Sequence, residues 1–318
     1  METQLQAWAA AGALDAKALE RGLEIAGVRP SADRWKAFIE RLLLVAGALL
    51  LGAALIFFIA ANWAEMSRVT KISLLAAAVA LAAGGGILAG PSSWPGRSGL
   101  IAATLFTGGL LAFIGQTYQT GADPWQLFAA WAVLCVPWAI AAGWAPLWSV
   151  LLVIANVAMA LYLQQDTRPR WFGPRFEAAT ALFILDAGAL AIAEMWGPKG
   201  EFRLLPRLAA GIALGCATFM TVSFLWDVRG SNAEGPLLFA LSIGVAYIVY
   251  RRLRVDLMIL SMACLASIVV VATALARITS RSYEPGMFLF IAAVVVGMSA
   301  GSAIWLRSIA REEESKPS

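Results

Sequence analysis

Two groups of residues in this chain have the types and spacing to do chemistry. The first comes from two separate stretches. "IAANWAE" carries Asn62 and Trp63, and "FIGQTYQTGADPW" carries Gln116, Tyr118, Gln119, Asp123 and Trp125. Amides, a phenol, a carboxylate and indoles make a polar floor with aromatic walls. That is the composition expected where a small ligand, or a lipid or sugar head group, is held. Several of these residues also have a plainer explanation. Trp and Tyr gather at membrane interfaces, and Asp123 followed by Pro124 is a helix start, with Asp at the N-cap and Pro at N1. Gln116 and Gln119 have no such explanation.

The second group is Asp186 with Asn156. Asp186 sits in "ALFILDAGALAIAEMW", about midway between Glu177 and Trp196. A carboxyl at the centre of a membrane helix costs about 2.5–3.5 kcal/mol, so it faces a bundle interior or water. Asn156 is central in the preceding apolar run, and a hydrogen bond between the two is expected. A proton or cation relay and a hydrogen-bonded structural acid both fit. Glu194 and Arg207 fall near one boundary and are expected to pair.

Other chemistry is excluded by residue type. The chain has no histidine, which removes Ser-His-Asp and Cys-His catalysis and His-ligated metals. Cys135, Cys216 and Cys264 each lie in an apolar run without CxxC spacing, so they read as small hydrophobes rather than ligands or disulfides. There is no GxxxxGK[ST] loop for nucleotide phosphates. No cofactor or metal is expected.

The elements that position these residues follow from composition. Of 318 residues, 60% are hydrophobic and 14% charged. A water-soluble domain carries about 25% charged residues. The bilayer is therefore the solvent for most of the chain, and an all-α integral membrane protein is expected. Ten apolar runs of spanning length are read at 40–62, 71–90, 99–118, 125–143, 146–164, 177–196, 204–226, 236–250, 255–276 and 286–306. The eighth is short. The fourth and fifth are joined only by "GWAP", where a re-entrant pair would lower the count to eight. Four regions are expected: a helical segment at 1–38, membrane halves at 39–164 and 165–308, and a disordered tail at 309–318.

Ahead of the first run, "TQLQAWAA" and "ALDAKALERGLEIAG" read as short helices, the second amphipathic, with Asp15 as N-cap and Gly27 as stop. A third start at Ser31 runs on into the first span. No signal peptide is read ahead of them. Small residues four apart, at Ala82/Gly86/Gly90, Gly211/Gly215 and Gly297/Gly301, predict close helix packing.

Charge gives the orientation. The net charge of +4 does not point to nucleic acid, because the cations fall in short loops between apolar runs. With the N-terminus inside, sixteen of the 24 Lys and Arg lie inside and eight outside. Both termini are expected in the cytoplasm, and the Asn62–Trp125 group on the outer face.

"AGALLLGAALIFFIAANWAEMSRVTKI" and "GGLLAFIGQTYQTGADPWQLFAAWAVLCVPWAI" resemble the bacterial membrane-protein family designated domain of unknown function 2157. The prefacing "GALDAKALERGLEIAG" resembles that family's cytoplasmic start. The resemblance covers roughly residues 8–150, and its hallmarks fall on Asn62, Trp63, Gln116, Tyr118, Asp123 and Trp125. It implies a multi-pass inner-membrane protein and no particular activity. Three functions fit: binding or transport of a small or lipidic ligand, a scaffold with protein partners, and a transferase on a lipid-linked substrate. The last is weakest, because no paired carboxylates or metal cluster appear in a loop.

Overall fold

Leu, Ala, Ile and Val runs of about twenty residues, with almost no ionisable side chains inside them, satisfy their backbone hydrogen bonds within the segment. In hydrocarbon that is a condition of existence. In the computed structural model every element is helical among the described residues, which are 1–26, 32–61, 66–118, 121, 123–164, 174–196, 203–226, 234–279 and 285–314. Among the described residues ten helices are long and apolar enough to cross a membrane.

The chain divides into two units, residues 1–110 and 111–318. The first begins with a helical pair, α1 (Glu2–Ala10) and α2 (Ala16–Ile25). Gly12 turns the chain between them with φ +72°. Asp15 caps α2 as expected, accepting from the Ala18 N–H at 2.6 Å. Leu5 of α1 sits against Gly22 of α2. The expected stop at Gly27 and cap at Ser31 lie outside the described residues. α3 (Ala32–Ala61) then runs unbroken from its charged start into the first apolar run.

α4 (Arg68–Leu88) is capped by Ser67, whose Oγ accepts from the Thr70 N–H at 3.1 Å. α5 (Trp94–Tyr118) follows after a turn at Gly90, φ +89°. The two pack through glycine. A Cβ on Gly99 would lie 2.9 Å from the Ala82 carbonyl and from the Gly86 Cα. The close packing read at Ala82 and Gly86 is therefore present. The other small pairs differ: a Cβ on Gly211 meets only Met262 at 3.4 Å, and one on Gly215, Gly297 or Gly301 meets nothing within 4 Å. Trp94 lies between two guanidinium groups, Arg41 at 5.1 Å and Arg97 at 5.7 Å. The charged starts of α3 and α5 therefore share a face.

The second unit is built on α9 (Leu204–Trp226). α6 (Pro124–Ala142) and α7 (Ala145–Leu163) form an antiparallel pair turned by Gly143, φ +53°, so the brief connection joins two helices of full length. α7, α8 (Pro174–Trp196), α10 (Glu234–Tyr247) and α11 (Leu257–Thr279) all pack on α9, and α12 (Pro285–Glu314) packs on α11. The short eighth run is completed by a π turn, Ile248–Leu253, which gives a 20-residue span, Glu234–Leu253. Gly235 admits the Met220 backbone, which a Cβ would meet at 2.7 Å. Leu214, Tyr250, Ile259, Leu260 and Ile309 form the buried core among α9 to α12.

Candidate functional site

The structure describes only part of the Asn62–Trp125 group. Asn62, Trp63 and Gln119 lie outside the described residues. Gln116, Tyr118 and Asp123 are exposed. Asp123 takes the N-cap position of α6 with Pro124 behind it, but its side chain makes no capping hydrogen bond. Trp125 packs edge-on against Tyr162, ring centroids 5.0 Å apart, which puts the start of α6 beside the end of α7. Its indole N–H is buried without a partner among the described residues.

Asp186 and Asn156 do meet. Asp186 is fully buried. Asn156 Nδ2 donates to Asp186 Oδ1 at 3.2 Å and to the Leu152 carbonyl at 3.0 Å. One amide thus ties α8 to α7. Two oxygens remain buried without a hydrogen bond among the described residues, Asn156 Oδ1 and Asp186 Oδ2. Both are acceptors, so the pair as it stands has room for one more donor.

The most elaborate polar cluster is one that the sequence shows only in part. Glu194, at the end of α8, accepts from Arg203, from the Tyr250 hydroxyl at 3.0 Å and from Arg254 at 2.9 Å. Arg254 also donates to the Glu194 carbonyl. Asp256 is buried and accepts from Arg203 at 3.0 Å and from Arg207 Nε at 3.1 Å. The same carboxylate caps α11 by accepting from the N–H groups of Met258 and Ile259. Arg251 donates to Glu312 at 2.7 Å. The expected Glu194–Arg207 pair is thus replaced. Arg203 and Arg254 take Glu194, and Asp256, as an N-cap one turn of chain beyond the π turn, takes Arg207. The signal for Asp256 was present in "RVDLMIL", an acid immediately before an apolar helix.

These contacts join the ends of α8, α10 and α12 to the starts of α9 and α11, so all five lie on one face of the unit. Arg277 at the end of α11 donates to the Leu225 carbonyl near the end of α9, 3.0 Å away, marking the opposite face.

Beside the cluster runs an apolar groove of about 380 Å³. α8 and α10 flank α9 and leave a cleft between them. Phe183, Ala187 and Ala191 form one wall, Ala213 the floor, and Leu241 and Val245 the other wall. Leu241, Val245 and Ala191 are exposed, so the groove opens to the side of the bundle. Glu194 and Tyr250 close one end. From Phe183 to Glu194 the wall is eleven residues of helix, roughly 16 Å. That matches one leaflet of a hydrocarbon core about 30 Å thick. The volume falls in the range of ligand sites, about 300–1,000 Å³. Among the described residues no group of three or more Cys, Asp or Glu gathers as a metal site.

Ten membrane-length helices among the described residues, with the carboxyls of Asp186 and Asp256 buried, define a polytopic α-helical membrane protein. Residues 6–148 match the family model described as "Predicted membrane protein (DUF2157)", the family resembled by the "AANW" and "GQTY" stretches. Comparison with curated proteins and with solved structures gives no match.

Proposed function

We propose that this chain is a lipid-binding, multi-pass protein of the bacterial inner membrane, and that the groove between α8 and α10 holds an acyl chain. The carrying observation is the groove itself: open to the side, one leaflet long, apolar along its length apart from Ser242, whose hydroxyl is taken up by the Leu238 carbonyl, and charged only at the end where a leaflet becomes polar. The positive-inside bias supports both termini, and with them the Glu194–Asp256 cluster, on the cytoplasmic side. Asp186 and Asn156 enter this reading as the tie that holds α7 against α8 behind the groove wall. The Gln116–Trp125 stretch keeps its place as an outer interfacial group.

The test is lipid retention. Purified protein in mild detergent is expected to carry bound lipid in its native mass spectrum. Ala191→Phe puts a ring into the groove from an exposed position on α8, and is expected to remove that lipid while the helix content is unchanged. If wild-type protein carries none, or Ala191→Phe carries as much as wild type, the groove does not bind lipid.

A further inference from the structure

The arginine cluster at the closed end of the groove has more positive charge than its own carboxylates use. Arg203, Arg207 and Arg254 face Glu194 and Asp256, three cations against two anions among the described residues. In the adjoining 197–202 connection Lys199 and Glu201 offset each other in the sequence. Both carboxylates are already saturated with donors. Glu194 takes Arg203, Arg254 and Tyr250, and Asp256 takes two arginines and two backbone N–H groups. The guanidinium groups are not saturated. Among the described residues Arg207 uses only Nε and Arg254 only Nη1. Arg252, two residues before Arg254 in the chain, is exposed and 6.0 Å over the Tyr247 ring, with no carboxylate partner among the described residues. The side chains of Arg207 and Arg254 are 36% and 54% exposed, so their free N–H groups reach solvent or headgroups.

We infer that this cluster selects the headgroup: the lipid in the groove is an anionic phospholipid whose phosphate meets Arg207 and Arg254. This rests on the groove reading and deepens it. A phosphodiester's two free oxygens suit the planar fork of a guanidinium. A headgroup with no cation of its own, such as glycerol, leaves a net negative charge to offset the surplus arginine charge. A choline ammonium would cancel that charge within the headgroup and set a second cation against the arginines. Glu194 holds Arg254 and Asp256 holds Arg207 in place before any lipid arrives, so little side-chain entropy is lost on binding. The spacing agrees, because the groove brings an acyl chain up to Glu194, the residue that Arg254 already grips.

The experiment uses the full chain in nanodiscs of equimolar phosphatidylglycerol and phosphatidylcholine. The protein is extracted into mild detergent and its bound lipid identified by native mass spectrometry. Wild type is expected to retain phosphatidylglycerol over phosphatidylcholine roughly fivefold, the preference expected of one well-placed arginine at an anionic headgroup. Arg254→Gln and Arg207→Gln are expected to bring the ratio toward one, and Arg254→Lys, which keeps the charge without the fork, to give a ratio between those of Arg254→Gln and wild type, a pattern that loss of packing alone does not produce. Total retained lipid reports the groove, and the ratio reports the cluster. Lipid retained at a ratio near one in wild type overturns the headgroup assignment and leaves the groove reading standing. An undiminished preference in both glutamine variants also overturns it. Absence of lipid from wild type, or a groove covered in a dimer seen by mass, overturns both.

Discussion

Asp256 is the residue whose removal tests the energetics of the ionic cluster most sharply, because it does two separable things. It neutralises Arg203 and Arg207, and it caps α11 through the N–H groups of Met258 and Ile259. Removing one partner of a buried ion pair costs about 3–5 kcal/mol, because a charge is left without compensation. Here Arg203 keeps Glu194, and the two arginine side chains are 26% and 36% exposed, so water relieves part of the loss. The low end applies, roughly 3 kcal/mol for Asp256→Ala, of which about 1 kcal/mol is the lost cap. Asn caps as well as Asp, so Asp256→Asn is expected to lose only the charge, roughly 2 kcal/mol. The assay is reversible unfolding in mixed micelles of rising SDS content, followed by far-UV circular dichroism. The expected order is wild type, then Asn, then Ala, with the two variants about 1 kcal/mol apart. Equal stabilities for Asn and Ala would remove the capping argument. Both within about 0.5 kcal/mol of wild type, the range of ordinary surface substitutions, would refute the buried-charge reasoning.

Asn156→Leu strands the buried Asp186 carboxyl and is expected to cost about 1–3 kcal/mol, whereas Asn156→Leu with Asp186→Leu costs less than either single change, since an apolar pair leaves no unmet donor or acceptor. A double-mutant cycle in the same unfolding assay checks the sign. Gly99→Val forces side-chain atoms into the Ala82 carbonyl and the Gly86 backbone, and is expected to lower the thermal midpoint by far more than Gly297→Val, whose site is open; a thermal-shift comparison reads this. Single cysteines at Glu312 and Arg252 are expected to react with a membrane-impermeant maleimide from the same side, because Glu312 and Arg251 are ion-paired. Labelling from opposite sides of a sealed vesicle would contradict the arrangement of α10 and α12.

Most of the architecture was legible because lipid leaves few options. A run such as 204–226 has one stable form in hydrocarbon, so its length and composition nearly coincide with α9. The Asn156–Asp186 contact was legible for a similar reason: two polar residues at equal depth on consecutive helices have few other partners. The ionic cluster was less so. Charge and depth placed Glu194 and Arg207 at one boundary, but which arginine takes which carboxylate depends on helix rotation, and the π turn at Ile248–Leu253 changes that rotation just before Arg254. No residue type in "IVYRRL" announces a π turn. The groove was illegible altogether, because a gap between α8 and α10 is a property of how both lean on α9. Its walls are Ala, Leu and Val like any other apolar surface. The small-residue spacing misled at Gly297 and Gly301 because spacing says where two backbones are able to approach, and not whether a neighbour is there.

The sequence separations within the ionic cluster have a consequence for how the chain enters the membrane during synthesis. Glu194 emerges with one partner close behind, Arg203, only nine residues later. Its remaining partners, Tyr250 and Arg254, follow 56 and 60 residues later, and Arg203 meets Asp256 only after 53. A nascent chain that has delivered α8 and α9 therefore carries a half-completed knot, with Arg207 awaiting its carboxylate. Insertion of α10 and α11 supplies both missing halves together, so the last stages of biogenesis act as a lock on the earlier ones. A chain stopped before Asp256 leaves Arg207 without the carboxylate it pairs with in the complete fold.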